Sequence, residues 1–139
     1  MKIRSVKAVE IDTTPQVKTA PRVPKVETDG FVSPMQRYPE LKRSDWGNDW
    51  NRTACVVTAD DGTWGFGLTL HSGVTVSLIN EHIGPMVEGE NCMATERIWD
   101  LMQKATAPYG TAGVSSFAIS AVDNALWDLK GKLLGKPVY

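Results

Sequence analysis

Apolar and polar positions alternate near the start of the chain, but the alternation slips. Ile3 falls on one side with Val9 and Ile11, whereas Val6 and Ala8 fall on the other, so residues 2–12 predict a two-sided or bulged strand. From residue 13 to residue 50 no period survives, and Pro15, Pro21, Pro24, Pro34 and Pro39 appear among Asp, Gly, Ser and Gln. A connection that long inside a small domain is usually functional or disordered. Residues 52–58 then form a β-type run, and Asp60-Asp61-Gly62 reads as a turn. Trp64, Phe66, Leu68 and Leu70 alternate with Gly65, Gly67 and Thr69. The result is a hairpin with one bulky face and one bare face.

The remaining pattern is helical. Val76, Ile79, Ile83 and Met86 make a first amphipathic run, interrupted by Gly84-Pro85, and Asn91 suits a cap before Ile98, Leu101, Met102 and Ala105 in a second. Pro108-Tyr109-Gly110 breaks the chain. A last helix follows, with Ala118, Val122, Ala125, Leu129 and Leu133 on one stripe, flanked by Ile119 and Leu126. Ser120, Ala121 and Ala125 keep it thin enough for a neighbour to approach closely, Gly135 suits a left-handed cap, and Pro137 forbids continuation. Three strands followed by three helices predict an α+β domain, a three-stranded antiparallel sheet packed on a helical bundle.

Bulk properties narrow the function more than the fold. The chain has 139 residues, 42% of them hydrophobic, with a net charge of −1. Lys42-Arg43 is the one local basic cluster and is too short for a nucleic-acid footprint. The charged N-terminus has no apolar stretch for a signal peptide, and no window approaches a membrane span, so a cytoplasmic protein without nucleic-acid or membrane partners is expected. Cys55 and Cys92 lie far apart, without CxxC spacing or nearby histidines, and read as free buried thiols.

Ala121-Val122-Asp123-Asn124-Ala125-Leu126-Trp127-Asp128-Leu129-Lys130-Gly131-Lys132, Asp61-Gly62-Thr63-Trp64-Gly65-Phe66-Gly67 and Arg97-Ile98-Trp99-Asp100-Leu101-Met102 carry a resemblance. The chain resembles the N-terminal capping domain of the mandelate racemase and muconate lactonizing branch of the enolase superfamily. Within that branch, Ser33-Pro34-Met35-Gln36-Arg37-Tyr38-Pro39 and Arg43-Ser44-Asp45-Trp46-Gly47-Asn48-Asp49-Trp50 look most like the L-rhamnonate dehydratase group of acid-sugar dehydratases. The resemblance implies a capping domain over residues 1–139, with residues 13–50 as a long substrate-lid loop. It also implies that a (β/α) barrel absent from this chain would follow residue 139. In the family that barrel holds Mg²⁺ and the bases that abstract a proton beside the substrate carboxylate. The expected partners are therefore a barrel, a sugar acid and further copies in a homo-oligomer, and without the barrel one of the two apolar faces of the last helix, Ala118/Val122/Ala125/Leu129 or Ile119/Leu126/Leu133, is expected to be bare. Neither catalysis nor metal binding is expected of this chain alone, because Asp60-Asp61 and Asp45/Asp49 read as turn and loop carboxylates.

Three residues become candidate substrate contacts. Arg43 lies in the loop that reaches over the barrel mouth, where a guanidinium can pair with a carboxylate or hydroxyl, and Lys42 competes with it. Trp46 can close the pocket as an apolar wall, while Trp50 is expected to anchor the loop. His71 sits where the third strand gives way to a helix, at the family's second specificity loop, and can hydrogen-bond a sugar hydroxyl or serve as a surface or capping group. His82 reads as a helical histidine without chemistry. Asp123 and Asp128 are five apart on a helix and do not share a face; Asp128 suits an ion pair with Lys132, and Asp123 a bond across to the barrel. Gly65-x-Gly67 lies within a strand and does not make a dinucleotide fingerprint. The competing functions are the same domain in a racemase, epimerase or cycloisomerase, and a stand-alone binding or oligomerisation module.

Overall fold

A computed structural model describes residues 1–12 and 51–138. Its sheet has three antiparallel strands in the order β1 (Ile3–Ile11), β2 (Arg52–Ala59) and β3 (Trp64–Thr69). The pairing runs Lys7 to Val56 to Phe66 and Val9 to Ala54 to Leu68, which puts each of these rows on one face. A register shift between Ile3 and Ser5 is the physical form of the phase slip. It turns Ile3 to the inner face with Val6 and Ala8, all three buried, and leaves Val9 exposed. The expected grouping of Ile3 with Val9 and Ile11 is corrected accordingly.

On β3 the bare positions face inward. Gly65 and Gly67 lie against the last helix, α4 (Val114–Leu134). A Cβ on Gly65 would stand 2.0 Å from the Ala125 carbonyl oxygen, and one on Gly67 2.0 Å from that of Ala121. Only hydrogen fits. The thin helix and the bare strand are two halves of one contact, and Trp64, Phe66 and Leu68 are left exposed on the other face.

The first helical run is continuous through Gly84-Pro85: α1 (Val74–Leu78) passes through a π-turn at Ile79–Ile83 into α2 (Gly84–Val87). Pro85 has no N–H to offer the carbonyl four residues back, and its ring crowds that oxygen, so the turn widens instead of breaking. The bulge has a structural use. Asn80, within it, accepts from the Ala8 N–H and donates to the Ala8 carbonyl, both at 2.8 Å, and Glu88 accepts from the Val6 N–H at 3.1 Å. These contacts close the outer edge of β1. Helix α3 (Thr95–Thr106) begins after Ala94, not after Asn91. The Asn91 side chain accepts from the Met93 N–H in a tight turn three residues upstream of the cap.

Ile79, Ile83, Ile98, Met102, Leu126 and Leu129 fill the core between helices and sheet. Each buried aliphatic of that size contributes about 1.5–3 kcal/mol. Both stripes of α4 are covered, Ala118, Val122, Ala125 and Leu129 on one side and Ile119 and Leu126 on the other, with Leu133 partly buried. The sequence suggested that one of these stripes would be bare. The domain's own sheet and helices cover both, and the bare apolar surface lies on the sheet. Gly135, at φ 59°, caps α4 as expected, with the Gly135 N–H donating to Lys132 O and the Lys136 N–H to Gly131 O. Both cysteines are free and buried, and burial pushes the Cys55 thiol up to about 12.

Two substitutions test this packing. Gly67→Ala forces β3 off α4 and is expected to cost at least about 3 kcal/mol in urea unfolding. Thr53 is fully buried and its hydroxyl has no hydrogen-bond partner among the described residues. Thr53→Val removes that unpaired group at constant shape and is expected to raise stability by about 1 kcal/mol in the same measurement.

Candidate functional site

The end of β1, the start of β2 and the turn leaving β3 meet at one end of the sheet, and Glu10 ties them together. Its carboxylate accepts from Asn51 Nδ2 at 2.6 Å and from Ser72 Oγ at 2.7 Å, and the Ser72 N–H donates to the Asn51 carbonyl at 3.1 Å. The Asn51 bond, followed by the Ser72 bond, holds the Glu10 carboxyl below its ordinary value, against partial desolvation and the nearby Asp12 charge. Sequence reasoning did not single out Glu10, Asn51 or Ser72. The available signal was a carboxylate on the inward phase of a strand, at the end where apolar residues stop.

His71 stands beside this brace. It is the one non-glycine residue with positive φ among those described, at 59°, a conformation uncommon outside glycine but one that histidine enters more readily than bulky residues. The buried Thr75 hydroxyl fixes the turn by donating to the His71 carbonyl at 2.7 Å, and the Thr75 N–H donates to Ser72 O at 2.9 Å. The half-buried imidazole lies 4.6 Å from the Phe117 ring, tilted by 55°, on the first turn of α4. A side chain this constrained can present a hydrogen-bonding edge in a fixed direction. Arg43 and Trp46, together with Lys42 and Trp50, lie outside the described residues. His82 is exposed and meets Tyr109 edge-on at 5.8 Å.

The polar groups gathered here are hydrogen-bonding side chains and a carboxylate. Glu10 has both oxygens engaged, and among the described residues no three His, Cys, Asp or Glu side chains converge. These residues do not supply the oxygen set that Mg²⁺ requires. Asp123 and Asp128 separate as their spacing implies. Asp128 pairs with Lys132 at 2.7 Å and accepts from the Phe66 N–H at 2.8 Å. Asp123 instead lines a crevice of about 140 Å³ with Thr95, Glu96, Trp99 and Trp127. Burial raises its carboxyl above the ordinary range, and no hydrogen bond reaches it from the described residues.

Residues 51–139 match the model of the mandelate racemase/muconate lactonizing enzyme N-terminal domain. The chain belongs to that family. It is 41% identical over 114 residues to an L-rhamnonate dehydratase from Saccharopolyspora erythraea, covering 80% of this chain and 29% of that relative. The crystal structure of L-rhamnonate dehydratase from Gibberella zeae matches 99% of this chain and 33% of its own, with a TM-score of 0.75 and 25% identity. A mandelate racemase/muconate lactonizing protein from Paracoccus denitrificans, crystallised with magnesium, matches 99% of this chain and 29% of its own, with a TM-score of 0.68 and 26% identity. This family member thus spans about 29% of the curated relative's length. No helix among its described residues is long and apolar enough to cross a membrane.

Glu10 makes a pH prediction. A carboxyl held below its ordinary pKa contributes its bracing above about 4.5 and loses it as the pH falls through the lower folded-state value. NMR titration of the wild-type chain is expected to show the His71 and Ser72 backbone signals shifting together at a midpoint below 4.5, with no such step in Glu10→Gln.

Proposed function

We propose that the chain is the capping, substrate-specificity domain of a Mg²⁺-dependent acid-sugar dehydratase acting on an L-rhamnonate-like aldonate. The single observation that carries this reading is the 41% identity to an L-rhamnonate dehydratase across four-fifths of the chain. A barrel elsewhere in the parent enzyme would hold the metal and the proton-abstracting bases. This domain would contribute residues 13–50 as a substrate lid, with Arg43 on the acid's carboxylate or a hydroxyl and Trp46 as an apolar wall. His71 would donate to or accept from a sugar hydroxyl. Support for its role comes from the brace beside it, since fixing a turn before substrate arrives lowers the ordering cost of binding.

The same reading gives Asp123 a partner. A half-buried carboxylate without a hydrogen bond among the described residues suits a basic or hydrogen-bonding group on the barrel, and the flanking indoles would shield that contact from water. The working enzyme would be a homo-oligomer in the cytoplasm.

The test is a chimera in which this chain replaces the matching N-terminal portion of the Saccharopolyspora erythraea enzyme. It is expected to convert L-rhamnonate, by loss of water, to a 2-keto-3-deoxy acid. Arg43→Ala and His71→Ala are expected to raise KM about 10-fold or more, in line with loss of one good polar contact. The 139-residue chain alone, given Mg²⁺, is expected to yield no product. A folded, Mg²⁺-binding chimera that leaves every aldonate in a stereochemical panel untouched would overturn the dehydratase reading, and turnover by the isolated chain would overturn the division of labour.

A further inference from the structure

We infer that Glu10 is the positioning residue for His71: its carboxylate, held between Asn51 and Ser72, fixes the peptide that follows His71 and so sets where the imidazole edge meets a ligand. The inference rests on the proposed contact between His71 and a substrate hydroxyl, and names the group that makes the contact ready before substrate arrives. On the inward phase of β1, Val6 and Ala8 are buried in the core, and Glu10 is the next position. Its row across the sheet is Glu10, Thr53 and Thr69, so the inner face turns polar at this end. Glu10 itself is exposed and adds nothing to the apolar packing.

What it completes is a closed ring of hydrogen bonds. Asn51 Nδ2 donates to Glu10 Oε1 at 2.6 Å, Ser72 Oγ donates to Glu10 Oε2 at 2.7 Å, and the Ser72 N–H donates to the Asn51 carbonyl at 3.1 Å. That N–H belongs to the peptide joining His71 to Ser72. Its other polar group, the His71 carbonyl, accepts from Thr75 Oγ1 at 2.7 Å. Gripped at both groups, the peptide fixes ψ of His71 while φ stays at 59°. The imidazole then needs one further contact to settle its direction, and the Phe117 ring at 4.6 Å provides it.

The ring calls for a carboxylate. Asn51 and Ser72 each bring a donor, and an ionised carboxyl has an acceptor oxygen for each of them, in bonds strengthened by its charge. An amide at position 10 accepts from Asn51 but turns its own NH2 toward Ser72, which must reverse its hydroxyl and gives up the charge-assisted bond. An alanine removes the ring altogether. Without it the positive φ is no longer over-determined, and a non-glycine residue relaxes toward negative φ, carrying its side chain to a new direction.

NMR of the 139-residue chain tests the positioning without any turnover. In the wild type, His71 is expected to give the strong intraresidue cross-peak between amide and Cα protons that positive φ produces, with a Phe117 ring-current shift on its imidazole. Glu10→Ala is expected to lose both in a chain that circular dichroism shows to be folded, and Glu10→Gln to weaken them. Glu88→Gln, which alters the acceptor of another β1 amide, is expected to leave both intact. In the chimera, Glu10→Ala is expected to raise KM about 5-fold with kcat unchanged, and to add nothing further in the His71→Ala background. A general loss of stability would instead persist in the double variant. Unchanged His71 signals in folded Glu10→Ala would overturn the inference, as would a KM penalty that multiplies with that of His71→Ala. If His71→Ala leaves KM unchanged while Glu10→Ala shifts the His71 signals, the substrate contact falls and the positioning stands.

Discussion

The contact on which the domain depends is between two backbones. Helices pack on sheets through side chains, which hold the layers about 10 Å apart. Here α4 rests on Gly65 and Gly67 with the Ala121 and Ala125 carbonyls where a Cβ would sit. That proximity explains several features that look unrelated in sequence. It requires small residues on the facing side of α4. It brings Asp128 and Lys132 within reach of the β3 main chain. Because the inward positions of β3 carry no side chain, any apolar bulk on that strand must point outward, where Trp64 takes Lys132 against its ring at 4.1 Å.

Both edges of the sheet are finished with side chains from helices. Asn80 reaches Ala8 because the π-turn forced by Pro85 displaces that part of the helix, and Glu88 reaches Val6 just beyond α2. The closed edges make three strands a self-limiting sheet. β1 and β2 remain neighbours although residues 13–50 intervene in sequence, because the pairing at Ile11–Arg52 and the Glu10–Asn51 bond hold the two ends together.

Much of this was legible in sequence. The length and period of α4, its glycine cap, the Asp61-Gly62 turn and the alternation on β3 all follow from local preferences that the tertiary structure reinforces. What was misread depends on through-space partners. The stripes of α4 could not reveal that one domain covers both of them. Asn91 has the right chemistry for a cap but is used one turn early, because chain geometry and not composition fixes where α3 starts. Gly84-Pro85 reads as a break unless a wider turn is allowed, and that turn is retained by the bonds Asn80 makes with a strand far away in sequence. The bulge that turns Ile3 inward was visible only as a slip of phase. At the candidate site, His71 was legible as a polar residue at a strand-to-helix turn. Glu10 was not, since its role rests on Asn51 and Ser72, far along the chain from it.

The placement of these features carries a functional argument. Glu10, Asn51, His71 and Ser72 gather at the end of the sheet from which residues 13–50 depart, while the α4–β3 contact runs along the body of the domain. Substituting a turn residue there disturbs no glycine contact and no capped edge. Side chains at that end can therefore vary while the scaffold stays fixed. The positive φ at His71 is compatible with that division. Backbone strain of this kind persists where surrounding bonds over-determine it, and Thr75, Ser72 and Glu10 supply those bonds at this end of the sheet.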